Sequence, residues 1–428
     1  MTQVISENYS FAKRAIWRFV FLYFLLYIFP YGFEYIYGLN TENISFWKEI
    51  TIWFGETFIG WKFNRERLLN GFDSEYDYSR FLLIAILSLI LTFCWLLIDS
   101  KLKKSYTSKI KVLTHTILRY HVGFTLILYG LSKVFLQQFG TINISNLETK
   151  IGDLSGMRYL WHFMSYSDFY TISSGLIEVI GGILLFFRRT TLIGTFILFI
   201  AMANVVLLDI GYDVRVKMFA IHLFLMTIVL MSDHIKGMFQ FFISSKPTVP
   251  KKYEPLFNAI ISKRIGYIIK TLIMGYFVIT TYYEFSERID RSNDPYPELA
   301  SMHVINTFVK NGDTLLPNDH LNNHRWKKML VNGHWRRPEM VSITLENEES
   351  ISFTFKADTI KKQLFLTPLG DSTQLEYTFD YKKINQNQYE FLGIYKGDTI
   401  RLETKAKFLK DYKLTKHGIR WLTVFDQL

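Results

Sequence analysis

Seven stretches of this chain are apolar over roughly the 20 residues that a helix needs to cross about 30 Å of hydrocarbon. No other feature of the sequence constrains the fold so tightly. They fall at about 16–38, 81–98, 112–135, 169–187, 192–208, 214–231 and 265–283. A chain of 428 residues that is 49% hydrophobic and 17% aromatic is hard to place in water when its apolar residues come in unbroken runs. The expected architecture is a membrane bundle of about seven helices. The first run is too long for the apolar region of a signal peptide and has no small-residue cleavage site, so it reads as a retained span.

The net charge of +11 is carried mainly by loops between these runs. Lys13, Arg14 and Arg18 precede the first span, and Lys101, Lys103, Lys104, Lys109 and Lys111 crowd the second connection. Arg188 and Arg189 form a tight turn, and Lys236, Lys246, Lys251, Lys252, Lys263 and Arg264 fill the last loop. These four basic segments alternate with the spans, so one orientation gathers all of them on the same side. Positive loops stay in the cytoplasm. The expectation is a membrane protein with its N-terminus in the cytoplasm and its C-terminus outside. Basic residues spread in this way do not form a nucleic-acid patch, and nucleic acid is not an expected partner. The single cysteine, Cys94, excludes an internal disulfide or a dithiol redox pair.

Four parts can be drawn: an N-terminal pair of spans with an external loop (1–105), a four-helix membrane core (106–245), a cytoplasmic loop with a seventh helix (246–285), and an extracytoplasmic tail (286–428). The external loop holds WKEITIWFGETFIGWKF, which suits either a helix lying on the outer leaflet or a cap over the bundle. The segment 140–168, with Trp161 and His162, reads as a second lid. From about 286 the pattern changes to period-two alternation, as in SITLENEESISFTFKAD and QYEFLGIYKGDTIRLETKAKF, broken by turn signals such as LGDS and KGDT. That pattern predicts about eight to ten antiparallel strands in an all-β barrel or sandwich, after a linker at 290–298.

Polar residues inside the apolar core are the candidates for function, because an ionisable group at membrane depth normally faces protein or water. His115, Arg119, Tyr129, Lys133 and Gln137 share a helical face, as do Thr171, Ser174, Gly175, Glu178 and Gly182. Asn204 stands alone in its run, and Asp213 and Lys217 are one turn apart, with His222 deeper. Counting about 1.5 Å per residue brings Glu178, His222 and Asn204 to one level and Lys133 nearer the outer boundary. A Glu178–His222 pair is therefore expected as the acid/base centre. Lys133 is expected to join Asp209, Asp213 and Lys217 in an outer ring, with Arg119 reaching Glu178 from below. A polar lock that fixes helix register, without chemistry, fits the same residues. His115 and His121 share no helical face, so no metal site is expected. No cofactor motif is evident.

The words YGLSKVFLQQF (129–139), the LWHFM lid, GLIEVIGGILLFFRRTTLIG (175–194) and NVVLLDIGYDVRVK (204–217) resemble those of the DoxX-like family of bacterial membrane proteins, particularly its long forms with a β-rich tail. The resemblance covers about 106–230. It implies a four-helix membrane core and, through the quinone oxidoreductase subunit that gave the family its name, a redox-linked role with a quinone as the possible cofactor. Lys133, Glu178, Asn204, Asp213 and Lys217 match the family pattern. Asp209 and Arg215 depart from it, standing where the long forms carry Asn and Pro. Three functions remain open at this point: the membrane subunit of an oxidoreductase, with catalytic Glu178 and His222 and with Lys133, Asn204, Asp213, Lys217, Trp161 and Arg119 lining the binding site; a non-catalytic anchor presenting the β domain to a redox or envelope protein; and a transporter for a small solute.

Overall fold

The computed structural model describes residues 9–29, 45–66, 68, 71–102, 106–249, 260–292, 299–317, 324–331, 339–369 and 375–416. The end of the first expected span (30–38), Lys103, Lys104, Lys251, Lys252 and most of the expected linker (293–298) lie outside them. The described helices are α1 (Phe11–Ile28), α2 (Ser45–Phe54), α3 (Glu75–Leu102), α4 (Thr107–Val134), α5 (Ile144–Glu148), α6 (Gly156–Tyr166), α7 (Asp168–Leu185), α8 (Thr191–Gly211), α9 (Lys217–Met231), α10 (Ile235–Phe242) and α11 (Ile260–Ser292). The chain divides into two compact units: 1–139 with 155–288, which is helical, and 140–154 with 289–428, which contains the strands.

Four described helices are long and apolar enough to cross a membrane: 75–101, 168–185, 191–211 and 264–286. The pair α9 and α10, bent by 76°, would make a fifth. These helices suggest a lipid environment. The other two expected spans do not pass the same test, and the reason is polar content. Phe11–Ile28 carries Lys13, Arg14 and Arg18, and Thr107–Val134 carries His115, Arg119, His121 and Lys133. Yet α4 is the axis of the bundle, with 15 of its 28 residues buried. It packs antiparallel on α7 at backbone contact. A Cβ on Gly130 would lie 2.6 Å from the Gly175 carbonyl oxygen, and one on Gly182 would lie 2.8 Å from that of Gly123. Small residues at these crossings let the two backbones touch, which replaces the hydrophobic driving force that lipid cannot supply. Leu118, Val122, Leu126, Leu198, Met202, Leu223 and Met226 form the apolar centre where α4, α8 and α9 meet. Phe277 of α11 packs on Phe124.

Arg18 is not a loop charge as the charge pattern suggested. It lies inside α1, fully buried, donating to the Arg14 carbonyl (2.9 Å), to Thr107 Oγ1 (3.2 Å) and to Asp99 of α3. A buried guanidinium holds its place only when its donors are met in this way.

The other unit is a closed barrel. Its strands are β1 (Ser301–Lys310), β2 (Asp313–Leu315), β3 (Trp326–Val331), β4 (Met340–Leu345), β5 (Ser350–Asp358), β6 (Gln363–Pro368), β7 (Tyr377–Lys383), β8 (Gln388–Tyr395) and β9 (Asp398–Lys407). Each of β3 to β8 pairs antiparallel with the next, and β1 closes the ring by pairing with β9 on one side and β2 and β3 on the other. The expected alternatives, barrel or sandwich, thus resolve to an eight-stranded antiparallel barrel with β2 as a short extension. Closure removes the free sheet edges that invite aggregation. Phe308, Trp326, Phe353, Phe379, Tyr389 and Phe391 fill the interior. Where β1 bulges between Ile305 and Thr307, fully buried Arg325 donates to the Ile305 and Asn306 carbonyls (3.3 and 3.4 Å) and pairs with Glu346.

Segment 140–168, expected as one lid, is divided between the units. Residues 140–154 belong with the barrel. Ile144 packs on Met302 and Tyr412, and Glu148 accepts from Lys328 Nζ (2.7 Å) and Tyr412 Oη (2.7 Å). Residues 155–168 belong with the helices.

Candidate functional site

Two of the buried polar centres among the described helical residues hold the expected acid/base candidates, and they are separate. In the first, Lys133 Nζ donates to both oxygens of Glu178, at 2.5 and 2.6 Å. Both residues are buried. The expectation that height keeps them apart is corrected. With Gly130 facing Gly175, Lys133 sits roughly six residues, about 9 Å, above the level of Glu178. Helical side chains lean toward their own N-terminus, and α4 and α7 run in opposite directions, so the two side chains lean toward each other.

In the second, His222 of α9 is held at both ring nitrogens. Nδ1 lies 2.6 Å from the Met218 carbonyl and Nε2 lies 2.7 Å from Tyr23 Oη. Tyr27 stacks on the ring at 4.1 Å and Phe81 lies at 4.9 Å. The hydrogen bond to Met218 makes Nδ1 the donor, which leaves Nε2 to accept the Tyr23 hydroxyl proton. The expected Glu178–His222 pair therefore does not form: the carboxylate is engaged by Lys133, and the imidazole has no free nitrogen.

The remaining expected residues are dispersed. Asn204 is exposed on the side of α8 opposite buried Leu198, Met202 and Asp209, and does not join Glu178 or His222. Arg119 is buried with its guanidinium over Tyr120, near the end of α7, and Glu178 has Lys133 instead. Trp161 packs edge-on against Phe139. Of the outer ring, Lys217 bonds Asp213 at 2.7 Å, and this bond holds the Asp213 carboxyl below its usual range. Asp209 is buried within electrostatic reach of Lys133, Lys217 and Asp73.

Residues that the sequence reading passed over complete the second centre and cap the helices beside it. Asp73 caps α9 by accepting from the Lys217 and Met218 amides at 2.7 and 3.0 Å. Ser74 and Asp77 bond reciprocally at the start of α3, with Ser74 N to Asp77 Oδ2 at 3.2 Å and Asp77 N to Ser74 Oγ at 3.3 Å. That capping box is legible in the sequence as Ser-x-x-Asp. Tyr23 and Tyr27 are one turn apart in the first apolar run and share a helical face, but nothing in the sequence sets that face apart from its aromatic neighbours. Among the described residues no group of three His, Cys, Asp or Glu could hold a metal ion.

No family model matches the chain and no solved structure is similar to it. The Bacillus subtilis (strain 168) protein YwoB, itself uncharacterized, is 30% identical over 113 residues, covering 26% of this chain and 71% of YwoB. The chain belongs to the YwoB family. That relationship accounts for about a quarter of this YwoB-family chain, and the rest is argued from its own residues.

The two centres differ in what they can do. The Lys133–Glu178 pair satisfies itself and ties α4 to α7, the work of a structural lock. The Tyr23–His222 pair joins a hydroxyl donor to an imidazole acceptor through one hydrogen bond. Flanked by Tyr27 and Phe81, it can pass a proton without creating an isolated buried charge.

Proposed function

We propose that this chain is a DoxX-like membrane component of a redox system, working with a quinone at the Tyr23–His222 centre. The observation that carries the reading is the 2.7 Å bond between Tyr23 Oη and His222 Nε2 inside an aromatic wall. Reducing a quinone takes two electrons and two protons. The Tyr23 hydroxyl would hand over one proton at a time, with its proton restored from water after each transfer, and planar rings complement a planar head group. The electrons come from a partner protein. The resemblance in 106–230 supports the same reading, with Glu178 now assigned to holding α4 on α7.

The proposed setting is the bacterial inner membrane, with seven spans and the barrel outside. Chain parity supports it. Residues 140–154 and 289–428 make one unit, so the intervening chain must cross the bilayer an even number of times. Three helices in that interval qualify alone, and α9, whose apolar run ends where the chain bends into α10, is the fourth crossing. With α1, α3 and α4 also crossing, the basic segments fall on one side, as the positive-inside rule requires.

The test is to purify the full chain from membranes and identify quinones retained with it by mass spectrometry. His222→Leu and Tyr23→Phe should lose the quinone and any proton-linked turnover while Glu178→Gln stays folded. Equal retention by all three variants and the parent would sink the reading. A second reading, a non-catalytic anchor for an envelope partner, is favoured by the barrel itself, whose interior is filled and which the chain enters at two separate places.

A further inference from the structure

We infer that α10 is a membrane-surface helix that binds the anionic phospholipids of the leaflet at the basic end of the bundle. This inference does not depend on the quinone reading.

The chain ends α9 at Met231 and turns through 76° into Ile235–Phe242. A helix bent so far from a span runs nearly along the bilayer plane. The bend is fixed. The His234 amide bonds the Met231 carbonyl at 2.8 Å, His234 is buried, and Asp233 pairs with Lys111 in the second turn of α4. That pairing puts α10 at the end where α4 begins, alongside the basic segments.

Its surface suits an interface and not water. Ile235, Phe239 and Phe242 lie at i, i+4 and i+7, all exposed, and Ile243 continues the stripe. Lys236 and Gln240 lie on the other flank. Exposed phenylalanines at this density would be costly in water, and a short helix with an apolar face and a basic flank is the pattern that settles at the headgroup boundary. The same end carries exposed Arg188 and Arg189 on the α7–α8 turn and Lys246 just beyond α10. Apolar burial alone would accept any lipid. The four cations select phosphate headgroups that carry net negative charge.

The experiment uses the full chain with Cys94, which is exposed, replaced by alanine. Nitroxide labels at Phe239→Cys or Gln240→Cys report depth in vesicles of phosphatidylcholine and phosphatidylglycerol. Position 239 should collide mainly with oxygen and position 240 mainly with a water-soluble nickel chelate. Both labels open to nickel would place the helix in water, both open only to oxygen would place it in the hydrocarbon, and both shielded would place it against protein. Each of these results overturns the inference. Spin-labelled phosphatidylglycerol should also associate more strongly than phosphatidylcholine, and Lys236→Gln with Lys246→Gln should reduce that preference by about fivefold per lysine. Equal association of the two lipids with the parent chain would refute the charge selection.

Discussion

The helical unit and the barrel differ in the balance of what they bury and what they leave exposed. The barrel hides Phe353, Phe379 and Phe391 and turns lysines outward, as a protein in water must. The helical unit hides Arg18, Lys133, Glu178 and His222 and leaves Phe93, Ile200 and Leu207 exposed. The difference teaches that the inside of each half is defined by its solvent. Where lipid surrounds the protein, apolar packing brings little gain in transfer energy, and close backbone contact with satisfied polar pairs holds helices together. Where water surrounds it, burial of aromatic area dominates.

The comparison would break first at the phenylalanines. Phe391→Ala should destabilise the barrel by roughly 4 kcal/mol, whereas Phe93→Ala on the outer surface of α3 should change stability by less than about 0.5 kcal/mol, both read from unfolding in detergent. A large loss at Phe93 would mean that its surface faces protein. The ion pair comes next. Lys133→Met alone leaves a buried carboxylate and should cost about 3–4 kcal/mol, while Lys133→Met with Glu178→Leu should recover most of that. A harmless single variant would show that water reaches the pair.

Acid should separate the halves as well. His303, fully buried in the barrel with Nδ1 3.0 Å from Thr404 Oγ1, is pushed down to about 4 by burial. Its unfolded form binds a proton below about 6.5 and its folded form does not until about 4. Stability is therefore complete above that window and falls through it, by about 3 kcal/mol in all. An acid titration of the barrel's near-ultraviolet signal, flattened in His303→Gln, checks this. A smaller effect of the same sign belongs to Glu148. Burial raises its pKa, but the bonds from Lys328 and Tyr412 and the nearby Lys407 outweigh that and hold it below its usual range. Glu148→Gln should cost about 1 kcal/mol near neutral pH, and the difference from the parent should vanish as the pH falls through the folded value. Last, Asp213→Asn should leave unfolding unchanged, because Asp213 stands in solvent.

What the sequence made legible was local. Period-two alternation announced the strands, and the loss of apolar runs near 286 announced the change of unit. Ring closure was not legible, since the β1–β9 pairing joins residues about a hundred positions apart and no local pattern encodes it. Lys133 and Glu178 were both singled out but assigned different partners, and they pair with each other. Rise per residue gives the height of a Cα, and the lean of two long side chains spans the rest. His222 was found, but its partners were not, because Tyr23 and Tyr27 read as ordinary aromatic residues of an apolar run until α1 is placed beside α9. Asn204 was over-read: a lone amide in an apolar helix has no sequence signal that tells which way it faces.

The division of residues 140–154 from the helices on either side of them bears on how the molecule is made. These residues leave the ribosome on the order of ten to thirty seconds before β1, at ordinary rates of synthesis. For that interval Ile144 and Leu147 have no Met302, Leu330 or Tyr412 to cover them. The nascent chain thus holds out a half-finished seam until its last quarter arrives, and shortening the protein at its C-terminal end strips a patch that lies far upstream.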